Sequence, residues 1–216
     1  MAELLVLGSS GLAKEMAHLA RTIDPDAKRW QEIAYVTHDP AELGRELLHG
    51  RVRYLDDDVL ARRDATDAVV GVGQPALRRR LAERFGALAS LRFPTLVHPS
   101  VPVSASVRFG RGNAVAQGVV LTCDIVLGDF NLLNYNTTIG HDVRMGHWNV
   151  VNPGSNVSGW VTLGDACLLG AGSQVLERRT LASGTVLGAG GVLTRDTSGP
   201  AIWVGIPARQ MAAPAR

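Results

Sequence analysis

The sequence predicts a fold in two parts, a small α/β unit followed by a solenoid of short parallel β-strands. Two observations predict it. The chain opens with a strand, a glycine turn and a helix, and from Val97 to Leu193 every sixth residue is apolar. That period is neither the 3.6 of a helix nor the 2 of a half-buried strand.

The first part reads element by element. "ELLVL" (3–7) has the continuous apolar run of a buried strand. "GSSG" (Gly8, Ser9, Ser10, Gly11) turns the chain, and "LAKEMAHLARTI" has helical periodicity. Free N–H groups and the positive end of a helix favour an anion at such a turn. The turn is shorter than the GxGxxG dinucleotide fingerprint, so it does not argue for NAD. "EIAYVT" gives a second strand ending at His38-Asp39, and "DAVVGVG" (67–73) gives a third, followed by a helix from Pro75. Arg78–Arg80 in that helix reads as a solvated face. The domains are expected at 1–94 and 95–216, joined through "FPTLVHPSVPV".

In the second part, the series Val97, Val103, Phe109, Val115, Leu121 and onward to Leu193 has 17 members, all apolar. In a chain that is 46% apolar, chance gives such a run on the order of once in a million. Glycine favours the next position, and small or β-branched residues favour the fifth. Each hexad is therefore expected to be one short strand and one corner, with glycine at the corner. Three hexads make one coil of a triangular prism, so residues 18 apart stack. Asn113, Asn131 and Asn149 are spaced by 18 and read as a stacked amide ladder. One coil cannot bury its own core, so stacking supplies the stability.

Composition excludes several classes. The net charge is +2 with scattered basic residues, which does not make a nucleic-acid-binding surface. The two cysteines have no CxxC spacing, which fits a reduced, cytoplasmic setting. The N-terminus has no basic start and is not expected to be a signal peptide. No apolar stretch is long enough to span a bilayer.

The hexads, with the closing "VGIPARQ" (204–210), resemble the hexapeptide-repeat family, whose fold is a left-handed parallel β-helix. Its members are mostly acyl-CoA-dependent acyltransferases that form trimers with active sites between subunits. Together with "GSSGLAK", "GVGQPALRRRLAERF", "VHPSVPVSASV" and "NYNTTIGHD", the chain resembles the sugar acetyltransferases. These include the bacillosamine- and perosamine-pathway N-acetyltransferases and the sialic acid O-acetyltransferase-like group. The resemblance implies a Rossmann-like N-terminal domain for a nucleotide-linked amino sugar, a β-helix for acetyl-CoA, and a homotrimer acting in surface-glycan synthesis.

The same resemblance implies site residues. His141 matches the family's base, with Asp142 beside it to fix its tautomer, and Asn134 matches an active-site position. One coil above His141 lies Gly159, whose N–H is an expected oxyanion donor. Gly8–Gly11, Asp39 and Gly73 would hold the nucleotide sugar. Ala171, Gly172, Ala189, Gly190, Pro207 and Arg209 would hold the coenzyme A arm. For Asn134 a plain corner role competes, because asparagine tolerates left-handed backbone. His147 lies six residues from His141, which turns it to the next face of the prism. It reads as a surface histidine, and no metal is expected. Relatives differ at Leu12 and Ala13 (His-Gly there), at His38 (acidic), at Gln74-Pro75 and at Val150 (a second His), so the identity of the sugar does not carry over. Two other readings stay open: an O-acetyltransferase on a sugar hydroxyl, and a non-catalytic scaffold that binds a nucleotide sugar.

Overall fold

A computed structural model describes residues 2–211. Met1 and residues 212–216, at the outer ends of the two expected domains, lie outside the described residues. The chain separates into two compact units after Pro99, where the sequence reading places the change after Pro94.

The first unit is built on β1 (Glu3–Leu7), α1 (Gly11–Ile23), β2 (Glu32–Thr37), β3 (Glu46–Leu47), β4 (Gly50–Leu55), α2 (Asp56–Leu60), β5 (Thr66–Val70), α3 (Pro75–Gly86) and β6 (Leu91–Arg92). The sheet order is β3-β4-β2-β1-β5-β6. β1 runs parallel to both β2 and β5. Leu4, Leu5 and Val6 of β1 and Ala68, Val69 and Val70 of β5 are fully buried, as expected of strands covered on both faces. The strand order reverses at β1, which places a switch point at its carboxyl end. The strand Gly50–Leu55 and the short helix after it carry no clear sequence signal. Arg51 and Arg53 are exposed, and only Val52 of the strand is buried.

Arg78 corrects the sequence reading. It is fully buried, and its Nη1 donates to the carbonyl oxygens of Val70 and Val72, each at 3.1 Å. Burial pushes its guanidinium down to about 9. The residue fastens α3 to the end of β5 and is not part of a solvated face.

The second unit is the predicted triangular prism, a left-handed parallel β-helix. Two-residue strands pair in parallel with partners 18 residues away, such as Val126↔Arg144 and Leu132↔Val150. Residues of the first hexad position from Val115 to Leu193 fill the core. Val103 departs from the series at 45% exposure, because its hexad forms no strand and the sheet of its face begins only at Val120–Leu121. A hairpin of Ile202–Gly205 and Ala208–Gln210 closes the far end.

The corners also depart from expectation. Left-handed φ falls at the fourth hexad position, at residues such as Gly118, Asp124, Asp142, Trp160 and Gly172, and not at the second, where glycine is most frequent. Second-position glycines are selected by crowding between coils. A Cβ on Gly140 would lie 2.7 Å from the Gly159 nitrogen, and one on Gly170 would lie 2.4 Å from the Ala189 nitrogen.

The amide ladder is present. The Asn113 Oδ1 accepts from the Asn131 N–H (2.9 Å) and Nδ2 (3.1 Å). The Asn131 Oδ1 likewise accepts from the N–H and Nδ2 of Asn149. Cys167 occupies the next rung, its N–H donating to the Asn149 Oδ1 at 2.7 Å. Burial pushes its thiol up to about 11.

Candidate active site

In the first unit, the carboxyl ends of β1 and β2 open into a cleft of about 390 Å³. Gly8, Ser9, Ser10, Thr37, His38 and Arg80 are among its lining residues. Gly8 has φ +122°, and a Cβ there would lie 3.2 Å from the Gly71 carbonyl oxygen, so the turn requires glycine. Gly71, within the "GVG" run, lets α1 approach β5, since a Cβ would lie 2.9 Å from Ala13. Of the other expected substrate contacts, Gly11, Asp39 and Gly73 do not line the cleft. Asp39 caps the short 3₁₀ turn Pro40–Glu42, its Oδ1 accepting from the Ala41 N–H.

Glu42 organises this turn. Its Oε2 accepts from the Ser9 hydroxyl and from the Thr37 hydroxyl at 2.7 Å. Arg45 pairs with Glu42 at 2.9 Å and donates to the Ser9 carbonyl at 2.8 Å. The Ser9 and Thr37 hydrogen bonds hold the Glu42 carboxyl below its ordinary range. Sequence reading missed Glu42, since nothing local links it to Ser9, 33 residues away. It also missed the cleft role of Arg80.

In the second unit, His141 and Asp142 form the turn that follows the strand Thr138–Ile139. The His141 Nδ1 lies 2.9 Å from the Asp142 Oδ2. An ionised carboxylate only accepts, so the proton sits on Nδ1 and the Nε2 lone pair is free. Asp142 has φ +59°, a conformation that aspartate tolerates better than most residues. Directly above lies Gly159. A Cβ there would lie 2.6 Å from both Nε2 and Cε1 of His141. Glycine is needed at this position for space, since its φ is not left-handed. Trp160 meets the His141 ring edge-on, with centroids 4.3 Å apart at 90°. Arg178 in turn stacks on the indole at 4.1 Å.

His147 makes an instructive contrast. It occupies the equivalent turn position on the next face, and its Nδ1 accepts from the Asp129 N–H at 2.9 Å. It therefore holds the opposite tautomer, with its proton on Nε2. The Asp129 Oδ1 accepts from the Arg111 N–H, the Asp165 Oδ1 from the His147 N–H, and the Ser183 Oγ from the Asp165 N–H. His147 is thus one rung of a side-chain ladder that caps corner amides. In the column of His141 the rung above is Gly159, which has no side chain to offer.

Asn134 is 92% buried, and its Oδ1 accepts from the Tyr135 N–H. Its φ is not left-handed, so the corner explanation for this asparagine falls; Asn136 holds the left-handed position instead. Ala171–Gly172 and Ala189–Gly190 stack on one another, with the Gly190 N–H donating to the Ala171 carbonyl at 2.9 Å. They belong to the edge that follows Leu132–Leu133, whereas Gly159 belongs to the edge that follows Thr138–Ile139. Within one chain these two groups are on different edges of the prism. Pro207 and Arg209 sit in the terminal hairpin, where Arg209 faces Val204. Beside Gly159 runs a groove of about 410 Å³ lined by Ser158, Leu176, Glu177, Arg179 and Thr194. Sequence reading did not single these out, although 158, 176 and 194 share the 18-residue column of Gly140. Among the described residues no group of three or more His, Cys, Asp or Glu side chains could hold a metal ion. Nor is any described helix long and apolar enough to cross a membrane.

No protein-family model matches the sequence, and no curated protein matches it at the sequence level. Solved structures do match. The acetyltransferase domain of PglB from Neisseria gonorrhoeae superposes with a TM-score of 0.90 at 27% identity, over 98% of this chain and 100% of that one. PerB from Caulobacter crescentus, solved in complex with CoA and GDP-perosamine, superposes with a TM-score of 0.88 at 29% identity, over 98% of each chain. The chain is similar throughout its length to hexapeptide-repeat sugar acetyltransferases. WeeI from Acinetobacter baumannii shares the fold of these acetyltransferases, with a TM-score of 0.82 at 22% identity over 98% of this chain and 100% of that one.

Proposed function

We propose that this chain is an acetyl-CoA-dependent N-acetyltransferase that acts on the amino group of a nucleotide-linked amino sugar. The observation that carries this reading is the corner in which Asp142 fixes the His141 tautomer and Gly159 leaves the space over Nε2 open. The likeness to the PglB acetyltransferase domain supports acetyl transfer, and the likeness to perosamine N-acetyltransferase, solved with CoA and GDP-perosamine, supports the class of acceptor.

Acetyl-CoA supplies the activated acyl group as a thioester. His141 Nε2 takes a proton from the sugar nitrogen as that nitrogen bonds to the acyl carbon. The Gly159 N–H, which has no acceptor among the described residues, donates to the acyl oxygen as it gains negative charge. The imidazolium so formed, held by the Asp142 carboxylate, returns the proton to the departing thiolate as the carbon–sulfur bond breaks. The Gly8–Gly11 turn and the start of α1 present N–H groups suited to the phosphates of the nucleotide, with Arg80 as a nearby cation. Those of Ser9, Ser10 and Gly11 have no acceptor among the described residues, while that of Gly8 donates to the Val36 carbonyl. Arg179, above Gly159, is a cation suited to the phosphates of coenzyme A, whereas Arg178 beside it stacks on Trp160. Asn134, Asp39, Gly73, the Ala171–Gly172 and Ala189–Gly190 turns and the Pro207–Arg209 hairpin are assigned by family resemblance, with the protein acting as a cytoplasmic homotrimer.

The test is thiol release from acetyl-CoA in the presence of a panel of nucleotide-linked amino sugars, with a sialic acid as the hydroxyl control. Release with an amino sugar and not with the sialic acid is the expected result. His141→Ala is expected to lower kcat/KM by roughly 10²–10⁴-fold. Absence of release with every acceptor sinks the enzyme reading.

A further inference from the structure

We infer that Trp160 is a positioning residue that holds the imidazole of His141, and that Arg178 holds Trp160. This rests on the reading of His141 as the base.

The geometry begins with the left-handed fourth position of the hexad. Along one edge of the prism, residues 118, 154, 172 and 190 of this position are glycine, with Asn136 between them. Along the edge of His141 the same position is Asp124, Asp142, Trp160 and Arg178, with φ of 57, 59, 57 and 59°. Left-handed backbone is unfavourable for a residue with a Cβ. On this edge the chain accepts that cost at four coils in succession. The third edge also carries residues with a Cβ there, Phe130, Trp148 and Ala166, so the backbone alone does not single out this edge; what its side chains touch does.

What the side chains do is visible. Asp142 reaches sideways to the His141 Nδ1. Trp160, one coil up, stands at 90° to the imidazole with 4.3 Å between centroids. Arg178, another coil up, lies over the indole at 4.1 Å. The imidazole is therefore confined by a carboxylate at one nitrogen, by the bare Cα of Gly159 and by an aromatic wall. The wall is needed because the His141 side chain is 41% exposed and protein contacts at such a surface otherwise restrain a ring weakly. A carboxylate alone fixes one nitrogen but leaves the ring plane free to swing about that bond. The aromatic wall fixes the plane, and with it the direction of the Nε2 lone pair. Trp160 touches no reacting atom in this scheme and acts only through His141.

The test uses the full-length protein and two readouts. Trp160→Gly suits the backbone, because glycine is the residue other corners use at this position, so the variant is expected to fold. It is expected to lower kcat by about 10–100-fold, the size of effect that a misplaced catalytic group produces, with KM for both substrates little changed. Trp160→Phe keeps an aromatic wall and is expected to recover most of the loss. The second readout is the NMR signals of the carbon-bound His141 ring protons, assigned by their loss in His141→Ala. The indole ring current is expected to displace them in the wild type, and Trp160→Gly returns them toward free-histidine positions. Unchanged kcat in Trp160→Gly overturns the inference. So does a fall in kcat with His141 signals that do not move, because Trp160 then acts elsewhere. If no acceptor supports transfer by the wild type, the functional reading fails separately, and the ring-proton shifts alone decide whether Trp160 holds the histidine.

Discussion

Two histidines six residues apart do different work because of which nitrogen each one uses. His147 gives its Nδ1 lone pair to a backbone N–H and becomes part of a corner. His141 turns its Nδ1 toward Asp142 and leaves Nε2 open. Gly159 makes this possible, which leads to a prediction. Gly159→Ala places a methyl carbon within van der Waals overlap of the His141 ring. The ring must move, so acetyl transfer is expected to fall by about 100-fold, measured as kcat/KM. The melting temperature is expected to change little, because φ at this residue suits alanine. The candidate base and the glycine above it were legible in the sequence, through the "IGHD" motif and the 18-residue step. The Trp160–Arg178 stack was not singled out, although the same step counted from Asp142 leads to both residues. Which side chains of a column touch depends on rotamers, and spacing does not encode those.

Among the elements, the coil is the unit of stability, and the amide ladder shows how one coil fastens to the next. Asn131 is fully buried. It donates to Asn113 and to the Gly146 carbonyl and accepts twice from Asn149. Asn131→Ala strands several buried polar groups, each costing about 1–3 kcal/mol. A loss of at least ~3 kcal/mol is expected, measured by denaturant unfolding of the prism. Asn131→Asp keeps the shape but removes the Nδ2 donors, and is expected to be destabilising as well. The ladder was read correctly from spacing alone, because a strict period fixes register. The corner glycines were read at the right positions for the wrong reason. Backbone handedness sits two residues later than the glycine preference, and the preference itself comes from crowding between coils.

At the scale of the whole molecule, the two compact units rest on different physics. The prism repeats one local solution, whereas the first unit depends on contacts between distant segments, such as Glu42 with Ser9 and Thr37. Hydrogen bonds from Ser9 and Thr37 depress the Glu42 carboxyl, so its stabilising contribution is present above the ordinary carboxylate range near ~4.3. That contribution is lost as pH falls through the depressed value. Glu42→Gln is therefore expected to lower the stability of the first unit at neutral pH and to flatten its acid limb, followed by circular dichroism melts between neutral and acid pH. A variant whose acid limb matches the wild type would rule out this role for Glu42. The sequence by itself determined the prism, its register, the strand–turn–helix at the start of the chain and the histidine to test. It could do so because hydrophobic period and turn chemistry are local. Only the tertiary structure decided the tautomers of the two histidines, the burial of Arg78, the grip of Glu42 on the glycine turn and the aromatic wall beside His141. Those depend on which distant side chains meet at a given separation, and a linear pattern of residue types does not specify that.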